Sequence, residues 1–374
     1  MDRICRALVL FCLAAMSANA KTPPAAPPVA ERKPVLSRKH GDTRSDDYHW
    51  LRDKGSAAVT AYLQAENAYT AAVTQPLAGL RQRLYQEMLG RIQETDQDVP
   101  YRDGGYWYYA RTEQGLQYPI FCRRRGTMNA PEEVVLDLNR LAAGRAYTAL
   151  GLFRVSPNGG LLAYSIDHSG FREYQLYFKD LRRNRSWKTG VRVTGFAWAN
   201  DNRHYFYVTE DAAKRSFRLY RGKLGVRQAS LVYEERDALF SLGIARSRSG
   251  AYLILSLESA LTSEQRYLDA NLPRGAFRSL LARRPNHEYE IAHHGDRFFI
   301  RSNDRGRNFR LVSAPIADPS EANWVEEIPA RDDVMLEGVD MFRDFYVAIE
   351  RVGGFRRLRV YDFAARRFRA VDFD

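Results

Sequence analysis

The only histidine cluster in the chain is His287, His293 and His294, with Asp296 beside it. A metal would need these side chains to converge on one point, but adjacent residues in a strand face opposite sides. His293 and His294 therefore read as surface or turn histidines, not ligands. Serine hydrolysis of the α/β type needs G-x-S-x-G, a strained strand-to-helix turn that lifts the hydroxyl clear of the sheet, with Asp and His following later in the chain. No serine here has glycine at both minus two and plus two. Ser169-Gly170 and Ser249-Gly250 have turn spacing instead. H-E-x-x-H, a cysteine cluster, a P-loop and GxGxxG are all absent from the sequence. The run Tyr106–Tyr109 could stack on bases or sugars, but alternate rings of a strand point apart, which is packing geometry. Asp332-Asp333 and Glu326-Glu327 could serve as paired carboxylates; nothing places them in a cleft, and they read as solvated loops. The residues thus nominate no catalytic, cofactor-binding or metal-binding side chain, and no cofactor.

The pattern these residues sit in is more informative. Arg297 to Ser302 is an aromatic and branched run, Asn308 to Pro315 is a second, and Asn303-Asp304-Arg305-Gly306 between them is a turn composition. This cadence recurs from Val99 onward in six groups of predicted strands. The first is Tyr106–Thr112, Tyr118–Arg125 and Glu133–Leu138. The second is Gly151–Ser156, Leu161–Asp167 and Tyr174–Leu181. The third is Val193–Asn200, His204–Glu210, Phe217–Leu224 and Ser230–Glu234. The fourth is Ser241–Arg246, Tyr252–Glu258, Glu264–Leu268 and Arg278–Ala282. The fifth is the pair above with Trp324–Ile328 as an outer strand. The sixth is Leu336–Met341, Phe345–Arg351, Arg357–Asp362 and Phe368–Phe373. The groups recur at roughly 45 residues, the range of propeller blades. Such a unit cannot cover both faces of its own small sheet, so neighbouring copies must do so. Radial repetition is favoured over a plain β-sandwich.

Upstream, Arg3 and Arg6 precede an apolar stretch, Ala7 to Met16, and Ala18-Asn19-Ala20 is a small-x-small cleavage site. Residues 1–20 read as a secretory signal, too short to span a bilayer as a mature helix. The expected mature chain begins at Lys21, is exported to the periplasm or beyond, and has no membrane segment. Cys5 and Cys12 fall within the signal, leaving Cys122 as the only mature cysteine, read as a buried structural thiol. Residues 21–45, with Pro23, Pro24, Pro27, Pro28 and Pro34, read as a Pro-rich linker. Ser56 to Thr74 is a predicted helix with Ser56 as N-cap. Pro76 breaks it, and Leu77, Leu80, Leu84, Met88 and Ile92 then mark a second, amphipathic helix. The formal charge of the 374 residues is +12, but the basic residues are scattered with acidic ones between them, so nucleic acid is not the expected partner.

Several stretches carry a family resemblance. Asp46-Asp47-Tyr48-His49-Trp50-Leu51 resembles the entry motif of the prolyl oligopeptidase family of serine peptidases, with Asp47 where proline is usual. Ala65-Glu66-Asn67-Ala68-Tyr69 resembles its first helix. Val99 to Tyr109, Phe196 to Asp201, Val232 to Glu235 and Pro285 to Asn308 are similar to the propeller of its oligopeptidase B branch, in family order. The resemblance implies a short helical arm over residues 46–95. An all-β propeller of the seven-bladed type follows over 96–374, with about six blades present. It also implies a gating role over a Ser-Asp-His hydrolase domain that is absent from this sequence, with cleavage of short basic peptides after Arg or Lys. A separate catalytic chain is a possible partner on this reading. The alternative is a stand-alone propeller module that binds peptides or proteins without catalysis.

Overall fold

The structure, a computed structural model, describes residues 26–372. The expected signal, residues 1–20, lies outside them. The chain divides into two compact units, Met1–Gln93 and Glu94–Asp374.

In the first unit, Val35–Lys39 and Asp42–Asp46 pair antiparallel as a hairpin, with Val35 opposite Asp46. This corrects the reading of residues 21–45 as linker throughout. His40 (φ 51°) and Gly41 (φ 81°) supply the two left-handed residues that a tight hairpin turn of matching twist requires. Both strands are exposed along their length, so no alternation of apolar residues announced them. Trp50 fastens the segment that follows. Its indole Nε1 donates to the Glu31 carbonyl at 2.8 Å, and its ring meets Tyr62 edge-on. Helix α1 (Ala57–Thr74) starts at Ser56, whose Oγ accepts from the Val59 amide at 3.1 Å. A 3-10 turn at Gln75–Leu77, around Pro76, separates it from helix α2 (Ala78–Leu89). No residue of α2 is buried, and Leu80, Leu84 and Met88 face outward.

The second unit consists of six antiparallel sheets, each of four strands that follow one another in sequence order. Blade 1 is Tyr101–Asp103, Tyr106–Arg111, Ile120–Arg125 and Glu132–Asp137. Blade 2 is Ala149–Val155, Leu161–Asp167, Gln175–Asp180 and Arg185–Arg192. Blade 3 is Gly195–Trp198, His204–Glu210, Ser216–Lys223 and Ser230–Glu234. Blade 4 is Ser241–Arg246, Tyr252–Glu258, Ser263–Asp269 and Arg278–Ser279. Blade 5 is Tyr289–His294, Arg297–Ser302, Arg310–Pro315 and Val325–Ile328. Blade 6 is Val334–Met341, Phe345–Val352, Phe355–Asp362 and Arg367–Ala370.

Three of these strands were not expected, and each has a reason. Tyr101–Asp103 has only three residues. Arg185–Arg192 is an outer edge strand, largely exposed and irregular between Lys188 and Arg192. Tyr289–His294 ends in two histidines that disguise its alternation. The expected strand Arg278–Ala282 pairs only over Arg278–Ser279, and Phe368–Phe373 over Arg367–Ala370.

Each blade is sealed by its neighbour. Tyr108, Val135 and Leu136 of blade 1 pack with Leu162, Tyr164 and Ile166 of blade 2. Leu176 and Phe178 of blade 2 meet Phe196, Trp198 and Tyr207 of blade 3. Blades 3 and 4 share Phe206, Leu219, Leu253, Leu255 and Leu257. Tyr267 of blade 4 packs with Phe298 and Ile300 of blade 5, and Phe299 and Leu311 of blade 5 with Leu336 and Tyr346 of blade 6. Strand alternation makes this possible: Phe298 and Phe299, adjacent in sequence, serve opposite interfaces. The Tyr106–Tyr109 run divides in the same way. Tyr106 and Tyr108 face blade 2, while Tyr109 lies on the other side of the sheet with Ile120 and Cys122. Cys122 is a free, buried thiol, and burial pushes its pKa up to about 11, which keeps it protonated and unreactive.

Candidate functional site: an arginine-lined channel

The first strands of blades 1 to 4 and the turn after the first strand of blade 6 enclose a cavity of about 570 Å³. Its wall includes Arg102, Asp103, Phe153, Arg154, Trp198, Arg246, Arg248, Phe342 and Arg343. A second cavity of about 950 Å³ shares Asp103, Gly104, Tyr108, Val155, Arg246 and Arg248 with it, so the two adjoin and are together called the passage. Its further wall holds Arg123, Glu133 and the turns Ser156–Gly159 and Ser249–Gly250.

Part of the wall is positioned by a turn repeated at the end of the first strand in blades 2 and 4. In blade 2, Ser156 Oγ accepts from the Leu161 amide at 2.9 Å, and the Gly159 amide donates to the Ser156 carbonyl at 2.8 Å. In blade 4, Ser247 Oγ accepts from the Tyr252 amide at 3.0 Å, and the Gly250 amide donates to the Ser247 carbonyl at 2.8 Å. Gly159 (φ 69°) and Gly250 (φ 74°) are left-handed, and a Cβ on either would strike Tyr106 or Arg246. The turns are also tied between blades. The Asn158 amide donates to Asn202 Oδ1 at 2.9 Å, and Asn200 Nδ2 donates to the Gly250 carbonyl at 3.1 Å. Trp198 Nε1 donates to the Arg154 carbonyl at 2.9 Å. These bonds fix the backbone from which the arginines project.

Arg246 donates to Asn200 Oδ1 at 2.6 Å. The residue remains exposed, and the protein atoms packed around it lower its pKa from the usual arginine value only in part, against the opposing pull of Asp103 on the far wall. Arg248 lies over the Phe342 ring at 4.4 Å and reaches Asp340 at 3.6 Å, so blades 4 and 6 touch across the passage. Arg123 stacks over Tyr106 at 4.0 Å, pairs with Glu133 at 2.8 Å and donates to the Gly159 carbonyl at 2.6 Å. Tyr108 beside it is pushed up to about 12 by burial and stays a neutral phenol.

Two serine–histidine pairs occur, and neither is arranged as nucleophile and base. His287 Nε2 is 2.9 Å from Ser302 Oγ, deep in blade 5. Arg284, which can only donate, is 3.1 Å from His287 Nδ1. Nδ1 is therefore the acceptor and Nε2 carries the proton, so this imidazole cannot take a proton from the serine. His293 Nδ1 is 2.7 Å from Ser249 Oγ, which in turn meets Ser247 Oγ at 2.9 Å. No carboxylate orients that ring, and the serines serve the blade 4 turn. His294 points the other way: its Nε2 meets the Arg343 carbonyl at 2.8 Å and its ring stacks on Phe363. The three histidines are thus spread over separate contacts, and no metal-capable cluster occurs among the described residues. Of the two carboxylate pairs, Glu326 and Glu327 bind Arg310 and Ser313 within blade 5.

The sequence nominated none of the channel residues. Arg154, Arg246 and Arg248 lie far apart in the chain and share no motif. Only their equivalent places at the ends of the first strands, just before or within Ser156-Pro157-Asn158-Gly159 and Ser247-Arg248-Ser249-Gly250, could have marked them.

Residues 27–374 match the family model for the prolyl oligopeptidase N-terminal beta-propeller domain. The chain is 39% identical over 360 residues to dipeptidyl aminopeptidase BI of Pseudoxanthomonas mexicana, covering 90% of this chain and 50% of that protein. It is 32% identical over 332 residues to protease 2 of Moraxella lacunata, covering 83% and 48%. Oligopeptidase B from Leishmania major superposes with a TM-score of 0.84 at 27% identity, covering 94% of this chain and 54% of that one. The chain spans about half the length of the relatives it matches. On the strength of this match and of the six sequential blades, the chain belongs to the prolyl oligopeptidase family, and its second unit is that family's N-terminal propeller.

Proposed function

We propose that this propeller is the admission gate of an exported serine peptidase that acts on short peptides. The Ser-Asp-His chemistry would be supplied by a hydrolase domain that is not among these residues. The observation that carries the reading is the passage itself. It is bounded by five blades, its two cavities measure about 570 and 950 Å³, and its walls are held by inter-blade hydrogen bonds. A gate of this form selects by cross-section and charge. Within this reading, cleavage after Arg or Lys follows the resemblance to oligopeptidase B. The name of the relative at 39% identity instead favours release of dipeptides from a free N-terminus.

The test combines retrieval and substrate choice. The chain from Lys21 to Asp374 is used as bait in its own cell-envelope extract, and retained proteins are labelled with a fluorescent serine-hydrolase probe. A labelled partner, or a labelled longer form of this chain, supports the gate. Blocked arginyl reporters and free dipeptidyl reporters then separate the two specificities. Hydrolysis by the purified chain alone, sensitive to a serine-directed phosphonate, would overturn the division of labour. A bait that retains no hydrolase but binds peptides would favour the second reading, a stand-alone binding module. That reading draws on the five interfaces that the six blades already seal between themselves.

A further inference from the structure

The walls of the passage carry eight arginines against two carboxylates, Asp103 and Glu133. Glu133 is engaged by Arg123, while Arg248 and Arg343 have Asp340 and Asp344 within 3.6 and 3.0 Å. Arg102, Arg154 and Arg246 have no carboxylate within ion-pair distance among the described residues; Asp103 is the one acid on their wall. The Arg154 guanidinium donates only to the Phe153 carbonyl, at 3.0 Å, and Arg246 only to the Asn200 amide oxygen. Guanidinium groups held in a concave wall with so little counter-charge favour an incoming anion, and their planar forks match a carboxylate in two-point contact.

We infer that the passage binds linear peptides by a carboxylate, the C-terminal one foremost, seated on Arg154 and Arg246. The inference rests on the gate reading and adds the charge and direction of what is admitted. The size of the adjoining cavities, about 570 and 950 Å³, and the aromatic surface of Phe153 and Phe342 beside the arginines suit a peptide better than a small inorganic anion. Lysine or arginine side chains are repelled by the same wall, so a basic peptide passes with its carboxylate leading.

The experiment is calorimetric titration of the full chain with an N-acetylated tetrapeptide of uncharged side chains, as the free acid and as the C-terminal amide. The free acid is expected to bind about tenfold tighter at low salt, with the preference shrinking as salt rises. In Arg154→Gln/Arg246→Gln the preference falls towards one, while Arg185→Gln, on an exposed edge strand, leaves it unchanged. If Arg246→Gln fails to fold because Asn200 loses its partner, Arg154→Gln alone carries the test. Equal affinity for acid and amide would overturn the inference. So would a preference that survives in a variant with an unaltered melt, or inorganic phosphate that competes in the titration as effectively as a second free-acid peptide. Because the readout is binding and not hydrolysis, its failure is told apart from failure of the peptidase reading, which the retrieval experiment measures.

Discussion

Glu350 shows how this propeller handles charge inside its sheets. It is 2% exposed, and it accepts from Arg359 Nε at 2.8 Å and from Arg331 on the preceding loop. Burial alone would raise its pKa, but the two guanidinium groups outweigh it and hold the carboxyl below the usual range. Removing one member of such a set strands the rest. Glu350→Ala is expected to cost on the order of 3 kcal/mol in urea unfolding, whereas breaking the fully exposed pair Arg343–Asp344 should leave the urea midpoint nearly unchanged. The buried histidines set a second dependence. Desolvation lowers the pKa of His287, with Arg284 adding to it against Asp304 and Glu321, and desolvation also lowers His293. In the unfolded chain both titrate near the ordinary value of 6.5. The unfolded state therefore takes up protons first as pH falls. The stability they contribute is intact above that value and is lost below it, down towards their folded values. Urea midpoints measured from about pH 7.5 down to about pH 5.5 should fall, and the fall should be shallower in His287→Gln/His293→Gln.

At the scale of the element, the blade is a four-stranded meander whose third strand must leave room for its neighbours' rings. Gly222 in blade 3 is such a place: a Cβ there would lie 2.3 Å from the Tyr205 ring. Tyr205 cannot swing away cheaply, because it is stacked on Phe196 and meets Phe178 edge-on. Gly222→Ala is expected to destabilise by about 1–3 kcal/mol, read as a lower melting temperature with native far-ultraviolet circular dichroism. Which elements the sequence revealed follows from the same physics. Tyr252–Glu258 and Arg297–Ser302 were legible to the residue, because a strand buried on both faces is a continuous apolar run. Arg185–Arg192 and the Val35–Asp46 hairpin were not, because edge strands in water are under no such constraint. The channel was the least legible of all. Its arginines are ordinary surface residues in sequence, and only the juxtaposition of strands from different blades turns them into a wall.

For the whole molecule, the exposed residues of the helical arm have the most direct consequence. Leu77, Leu80, Leu84, Met88 and Ile92 recur at helical spacing, and none is covered. An apolar stripe of this kind drives association. The purified chain is expected to self-associate at high concentration, and Leu84→Glu/Met88→Glu to return it towards a monomer by size exclusion with light scattering. A wild-type chain that stays monomeric throughout would remove the stripe as a contact surface.

The passage also has a temporal meaning. Every strand pairs with its sequence neighbour, so each blade can be completed soon after its own residues are made, using contacts that are short in the chain. The wall cannot. It needs Arg102 from blade 1, Arg154, Arg246 and, last of all, Phe342 and Arg343. During synthesis or refolding, blade formation should be gradual while peptide binding arrives in a single late step. A ligand that reports on the passage would thus serve as a probe of completed assembly, silent towards every partly built intermediate.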